Sequence, residues 1–221
     1  QFPTSHGWRR RRPDAVSDVL EGLRRTPDVE APGLVASDAA DRLILDESAA
    51  LRESAGPGEI VVIGDSYGAL TLGAADAGAT GIRAHLDALN GERALAANAD
   101  RAGLSGHYRA QPFDADLVRG ARLVMMRLPR SLDMLGDIAA IIAAHADPAV
   151  VVVAGGRLKH MSVSMNEVLR GFFERVDVTH ARQKSRVLIA RDPHDGRDPA
   201  PAAARVEGVE VRAFGGAFAG A

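Results

Sequence analysis

The residues Gly64-Asp65-Ser66-Tyr67-Gly68, directly after the β-branched run Ile60-Val61-Val62-Ile63, are the first group along the chain that could do chemistry. Glycines after a strand let a backbone approach a cofactor closely, and in an open parallel sheet such loops lie where helix N-termini and loop amides converge. Asp87, after the second strand-like run, could hold ribose hydroxyls as a two-oxygen acceptor, or be an ordinary loop aspartate. After the fourth run comes Arg127-Leu128-Pro129-Arg130. Guanidinium groups only donate, so this loop cannot accept hydrogen bonds from a base amine. Arg127 and Arg130, with Arg157, Lys159 and His160 after the fifth run and Arg182, Lys184 and Arg186 in a later hairpin, would line one sheet edge with cations. Such an edge suits phosphate; the alternative is a solvated charged rim.

Ser66 opens a different chemistry, that of hydrolases with a Gly-Asp-Ser nucleophile, and Asp177-Val178-Thr179-His180 supplies the letters of an Asp-x-x-His partner. On an alternating strand, positions three apart point to opposite faces, so this pair is not expected to converge on the serine. No Gly-x-Asn-Asp loop adds an oxyanion donor. A nucleophile needs its base and its donors placed together. His85 and His107 show no metal-ligand spacing, and no metal is expected.

The elements that must position these residues follow from periodicity. Pro13 to Arg25 and Ser37 to Glu53 read as helices, the second capped at Ser37, and Gly56-Pro57-Gly58 ends this helical prelude. Ile60 to Ile63 has the continuous apolar character of a strand buried on both faces. Helix Ala69 to Asp76, strand Ile82 to Leu86, helix Gly91 to Ala102, a weak strand near Tyr108, strand Leu123 to Met126, helix Ser131 to His145, strand Val150 to Val153 and helix Val163 to Phe173 follow in turn. That alternation predicts parallel strands joined by right-handed crossovers. Runs Val176 to Ala181 and Arg186 to Ala190 are separated only by Arg182 to Ser185, too short for a crossover, and must pair antiparallel.

Composition narrows the function classes. The chain has 221 residues, 46% hydrophobic and 25% charged, ordinary for a globular protein. With 27 basic against 29 acidic residues its net charge is −2, too even for a surface that coats nucleic acid throughout, so any phosphate site is local. Zero cysteines exclude disulfides, thiolate metal sites and a cysteine nucleophile, and 4% aromatics argue against an extended base-stacking platform. No stretch approaches the roughly 20 apolar residues of a membrane span, and none follows Arg9 to Arg12 as a secretory signal would require. A soluble, cytoplasmic protein is expected. The arginine run reads as a solvated arm or a phosphate-touching tail. From Asp192, prolines, glycines and alanines suggest a linker, and Val206, Val209, Val211 and Phe214 to Ala221 suggest the start of a further domain. The expected division is an arm and helical prelude at 1–57, an α/β domain at 58–191, and a linker with the opening of a second domain at 192–221.

A parallel sheet closed by an antiparallel hairpin resembles class I methyltransferases: α/β, Rossmann-like, with a mostly parallel seven-stranded sheet, a C-terminal antiparallel hairpin and a small helical segment in front. Asp38-Ala39-Ala40-Asp41, Gly64 to Leu70, Arg127-Leu128-Pro129-Arg130-Ser131-Leu132 and the segment Gly155 to Val168 resemble, in order, the N-terminal half of the bacterial rRNA guanine-N2 methyltransferases, which are built from two tandem methyltransferase-like halves. The resemblance covers roughly Leu34 to Arg191. It implies a degenerate half without catalytic residues that helps hold rRNA and supports its own C-terminal catalytic domain. S-adenosylmethionine is then the cofactor of the full-length parent and is not bound by this half. Against the family's cofactor loop, Val62 replaces the acid two positions before the first glycine and Ser66 the middle glycine. The Asn-Pro-Pro-aromatic motif of amine transfer occurs nowhere. Gly64, Ser66, Gly68 and Asp87 become vestigial cofactor contacts, and Arg127, Arg130, Arg157, Lys159, Arg182 and Lys184 RNA or phosphate contacts. No membrane or metal partner is implied. Two alternatives stay open: a self-sufficient S-adenosylmethionine-dependent methyltransferase of a small molecule or protein using Gly64, Gly68 and Asp87, and an esterase using Ser66.

Overall fold

The computed structural model describes residues 16–194, 202–206 and 209–213. The arginine run at 9–12 and the segment at 214–221 lie outside the described residues. Helices α1 (Val16–Glu21), α2 (Ala39–Glu47) and α3 (Ala49–Ser54) lead into β1 (Ile60–Ile63). Then follow α4 (Ala69–Asp76), β2 (Ile82–His85), α5 (Leu89–Ala102), β3 (Tyr108–Ala110), α6 (Ala115–Val118) and β4 (Leu123–Arg127). The chain continues through α7 (Leu132–His145), β5 (Val151–Arg157), α8 (Val163–Arg170), β6 (Phe173–Val178) and β7 (Ser185–Pro193).

These strands form one seven-stranded sheet in the order β3-β2-β1-β4-β5-β7-β6. The first five are parallel, with Ile60 opposite Leu123 and Val61 opposite Arg83, and β7 runs antiparallel between β5 and β6. All four residues of β1 are buried because helices cover both faces. Ile60 and Val62 pack with Leu43, Ile44, Leu70 and Leu95 on one side, and Val61 and Ile63 with Leu117, Leu135 and Ile142 on the other. Each such side chain contributes roughly 1.5–3 kcal/mol by leaving water. The helices before residue 58 share the first of these cores: Leu43, Ile44 and Leu45 of α2 are buried there with Val153 and Val187. Their approach is close. A methyl group added to Gly155 of β5 would lie 2.5 Å from Ile44 Cγ1.

Several local expectations are corrected. The single helix expected at 37–53 breaks at Ser48 into α2 and α3, and the cap is Asp38 in place of Ser37. Asp38 Oδ1 accepts from Ala40 N at 2.8 Å while Asp41 Oδ2 accepts from Asp38 N at 2.7 Å, a reciprocal capping box. The helix expected to reach Phe173 ends at Arg170, and Phe173 opens β6 as a fully buried side chain. In the stretch expected to hold a linker and the start of a further domain, Ala202–Val206 (β8) and Val209–Ala213 (β9) pair as an antiparallel hairpin.

Candidate functional site

The loops at the carboxyl ends of β1, β2 and β4 enclose a cleft of about 370 Å³. Gly64 and Ser66 enter it from β1, His85 and Asp87 from β2, and Arg127 to Arg130 from β4. The sequence analysis missed the remaining wall: Phe113 after β3, and Met134, Asp137 and Ile138 from the first turns of α7. The signal was present in part, since the three α7 residues recur at helical spacing beyond the Ser131 cap. A wider hollow of about 480 Å³ beside α1 touches none of the sequence-predicted residues.

The loop after β1 is held from within. Asp65 is fully enclosed and accepts from Gly68 N at 3.1 Å, Thr71 N at 2.9 Å and Thr71 Oγ1 at 2.8 Å, while burial raises its pKa. Gly68 does not line the cleft: its φ of +96° opens α4 in the left-handed region, and an added methyl would meet Leu95 Cδ1 at 2.7 Å. Val62 lies wholly inside the apolar core. No carboxylate therefore stands at that position of the loop. His85 Nε2 lies 3.1 Å from Asp87 Oδ1 and Nδ1 lies 3.0 Å from the Gln111 carbonyl oxygen. Both neighbours are acceptors, so the two contacts together require an imidazolium. Burial opposes that charge, yet the Asp87 and Gln111 contacts outweigh it and raise the His85 pKa; His85 in turn holds Asp87 low.

Arg127 departs from its expected role as a phosphate contact. Its Nη1 donates to Asp38 Oδ1 at 2.7 Å and to Asp41 Oδ1 at 2.8 Å, and Nη2 donates to Asp38 Oδ2 at 3.3 Å. The guanidinium is a partly buried clamp between the β4 loop and the N-terminus of α2. One cation serves two carboxylates: Asp38 is held low by Arg127 against its burial, while burial pushes the deeper Asp41 up to about 6. The charged side chains of the strand-four loop are donors only, as expected, but Asp137 brings a carboxylate into the same cleft from α7.

The other expected cations do share one edge. The antiparallel register sets Ser185 opposite Arg157, and Leu158 N donates to Lys184 O at 2.9 Å, so the turn at 182–185 lies beside Lys159 and His160. Arg130, Lys159 and Lys184 are exposed. The charges act on one another: burial and then Arg130, Lys159 and Arg157 lower the His160 pKa. Arg157 lies 3.9 Å from Asp38, and Arg182 reaches Asp46 at 3.1 Å in an exposed pair of small energetic weight. The hydrolase reading fails on placement. Asp177 and His180 lie at β6, the far edge of the sheet from Ser66, and Asp177 accepts from Arg191 at 2.8 Å. His85, which shares the cleft with Ser66, has both ring nitrogens engaged. Among the described residues no cluster of His, Asp or Glu could hold a metal ion, and no helix is long and apolar enough to cross a membrane.

Strand order, the antiparallel insertion of β7 and a cleft at the ends of β1, β2 and β4 define the class I methyltransferase fold. Solved structures share it: a ribosomal protein L11 methylase from Lactobacillus delbrueckii subsp. bulgaricus matches with a TM-score of 0.59 at 16% identity, over 76% of this chain and 91% of that one. The 16S rRNA N2 G1207 methyltransferase of Thermus thermophilus, in complex with AdoMet and guanosine, matches with a TM-score of 0.52 at 16% identity, over 82% of this chain and 50% of that one. Residues 17–194 match the family described as RLMG N-terminal domain, and the chain belongs to that family. Similar curated proteins include the ribosomal RNA large subunit methyltransferase G of Pseudomonas fluorescens Pf-5, 29% identical over 191 residues, which cover 84% of this chain and 50% of the relative. The protein of the same name from Pseudomonas aeruginosa PAO1 is 28% identical over 190 residues, again 84% of this chain and 50% of the relative. The chain thus spans about half the length of the curated relatives it matches.

Proposed function

We propose that this chain is the N-terminal, non-catalytic half of a cytoplasmic, S-adenosylmethionine-dependent rRNA guanine-N2 methyltransferase, that it holds RNA, and that it supports a C-terminal catalytic half which binds the cofactor. The observation that carries the reading is the state of the strand-four loop. Where amine transfer needs an acceptor, Arg127 is locked between Asp38 and Asp41. Val62 in the core and the names of the curated relatives support the same assignment. For RNA the exposed Arg130, Lys159 and Lys184 are the phosphate contacts, with Arg157 and Arg182 beside them, because charge-assisted contacts at a single edge suit a backbone that bends past it.

Two measurements test this. Calorimetric titration of S-adenosylmethionine into this chain is expected to give no saturable heat, and one-to-one binding abolished by Asp87→Ala would favour a self-sufficient methyltransferase. Charge removal at Arg130, Lys159 and Lys184 together is expected to weaken RNA binding and to lower the slope of log affinity against log salt by about 0.7 to 0.9 per lost contact. An unchanged slope sinks the RNA role.

A further inference from the structure

We propose that the outer side of β6 pairs with the β6 of a second copy of this chain, antiparallel and centred on Val176, so that two sheets join across a two-fold axis. β6 ends the seven-stranded sheet, and among the described residues no strand lies on its outer side. A strand left in that position presents unpaired backbone groups to another strand. The ladder with β7 runs unbroken from Arg175 to Val178, and Thr179 N donates to Val187 O at 3.0 Å just beyond it. Antiparallel pairs alternate, so Arg175 and Asp177 turn their backbone groups to β7 while Val176 and Val178 turn theirs outward. No proline stands in this run, and Val178 is 42% exposed. Charge then selects the occupant. A symmetric pairing centred on Glu174, Arg175 or Asp177 sets that residue against its own copy, and like charges directly opposite one another oppose pairing. A centre between two residues would set outward-facing backbone against inward-facing backbone. Centred on Val176, the pairing sets Arg175 opposite Asp177 of the second copy twice over, and Val176 exchanges both backbone bonds with its own copy. Arg175 lacks a close carboxylate within one copy. It lies opposite Arg191 in the β6–β7 register and reaches Asp177 Oδ2 only at 3.9 Å, since that oxygen already accepts from Arg191 at 2.8 Å. Asp177 Oδ1 is left for a further donor. In the pairing the two residues form a non-hydrogen-bonded pair, with Cα atoms about 4.5 Å apart, where facing side chains come closest.

The contact is one strand wide, so the association is weak and depends on concentration. The proposal stands apart from the RNA reading, whose Arg130, Lys159 and Lys184 lie outside β6. Sedimentation velocity on this chain at rising concentration is the test. The wild type is expected to shift from the monomer mass toward twice that value. Val176→Pro is expected to stay monomeric throughout with an unchanged melting temperature, because the N–H it removes does not serve β7. Arg175→Glu and Asp177→Lys each set like charges opposite one another at both sites, and each is expected to be monomeric alone. Mixed in equal amounts, these two variants bring opposite charges together at both sites and are expected to recover the doubled mass as a heterodimer. That arm does not depend on the proline variant, and a misfolded partner could not produce it. A wild type that stays monomeric at every concentration, a dimer that survives Val176→Pro, or charge variants that remain monomeric when mixed would overturn the proposal.

Discussion

Arg127 and Arg130 look alike in sequence and behave as opposites in the fold. Arg127 is mostly enclosed and satisfies two carboxylates, so Arg127→Ala strands Asp38 and Asp41 and is expected to cost about 3 kcal/mol in denaturant unfolding. Arg130 is exposed, and Arg130→Ala is expected to stay within about 0.5 kcal/mol while losing RNA affinity. Nothing local in the sequence distinguishes them, because the partners of Arg127 lie on α2, far back along the chain, and become neighbours only when α2 docks. The same cluster sets a pH dependence. Asp41 titrates near 6 when folded and near 3.8 when unfolded, so the folded chain takes up the proton first and stability rises as pH falls through that window. Asp38, held low, has the reverse sign and withdraws its contribution only below pH 3.8. Melting temperatures of the wild type from pH 7 to pH 4 are expected to show the rise, and Asp41→Asn to lessen it, leaving the same-signed contributions of Asp65 and His85.

At the level of elements, what proved readable was what one strand or helix decides alone. The doubly covered strands announced themselves as unbroken apolar runs, and the short spacer at 182–185 dictated antiparallel pairing, as found. The form of that spacer was not readable. Arg182 and Ser185 exchange both backbone hydrogen bonds, at 2.9 and 2.8 Å, while Gln183 and Lys184 take φ of 48° and 59°. Such a two-residue hairpin favours Asn-Gly, and left-handed backbone costs a side-chain-bearing residue roughly 1–2 kcal/mol. Lys184→Gly is therefore expected to raise stability by about 1 kcal/mol in denaturant titration while weakening RNA binding. A loss of stability would show that the lysine side chain contributes to the fold. Within the cleft, Gly64, Ser66 and Asp87 were readable as strand-end residues, but Phe113 and Asp137 reach it through the packing of α7 and the β3 loop, which no single element specifies.

For the whole molecule, α2 covers part of one face of the sheet, where Leu43, Ile44 and Leu45 meet Val153 and Val187. A chain begun at residue 58 is expected to lose cooperative unfolding, since the part of that face around Val153 and Val187 would be bare and Arg127 without its carboxylates; a sharp melt near that of the whole chain would contradict this. The position of β1 at the centre of the sheet has a further consequence, for the order of events at the ribosome. Ile60 to Ile63 leaves the exit tunnel well before one of its two flanking strands, β4, with Leu123 opposite Ile60. Until that later stretch has been translated, the most apolar strand of the protein has an open edge, which makes the nascent chain, rather than the finished one, the form most exposed to aggregation and most in need of a chaperone.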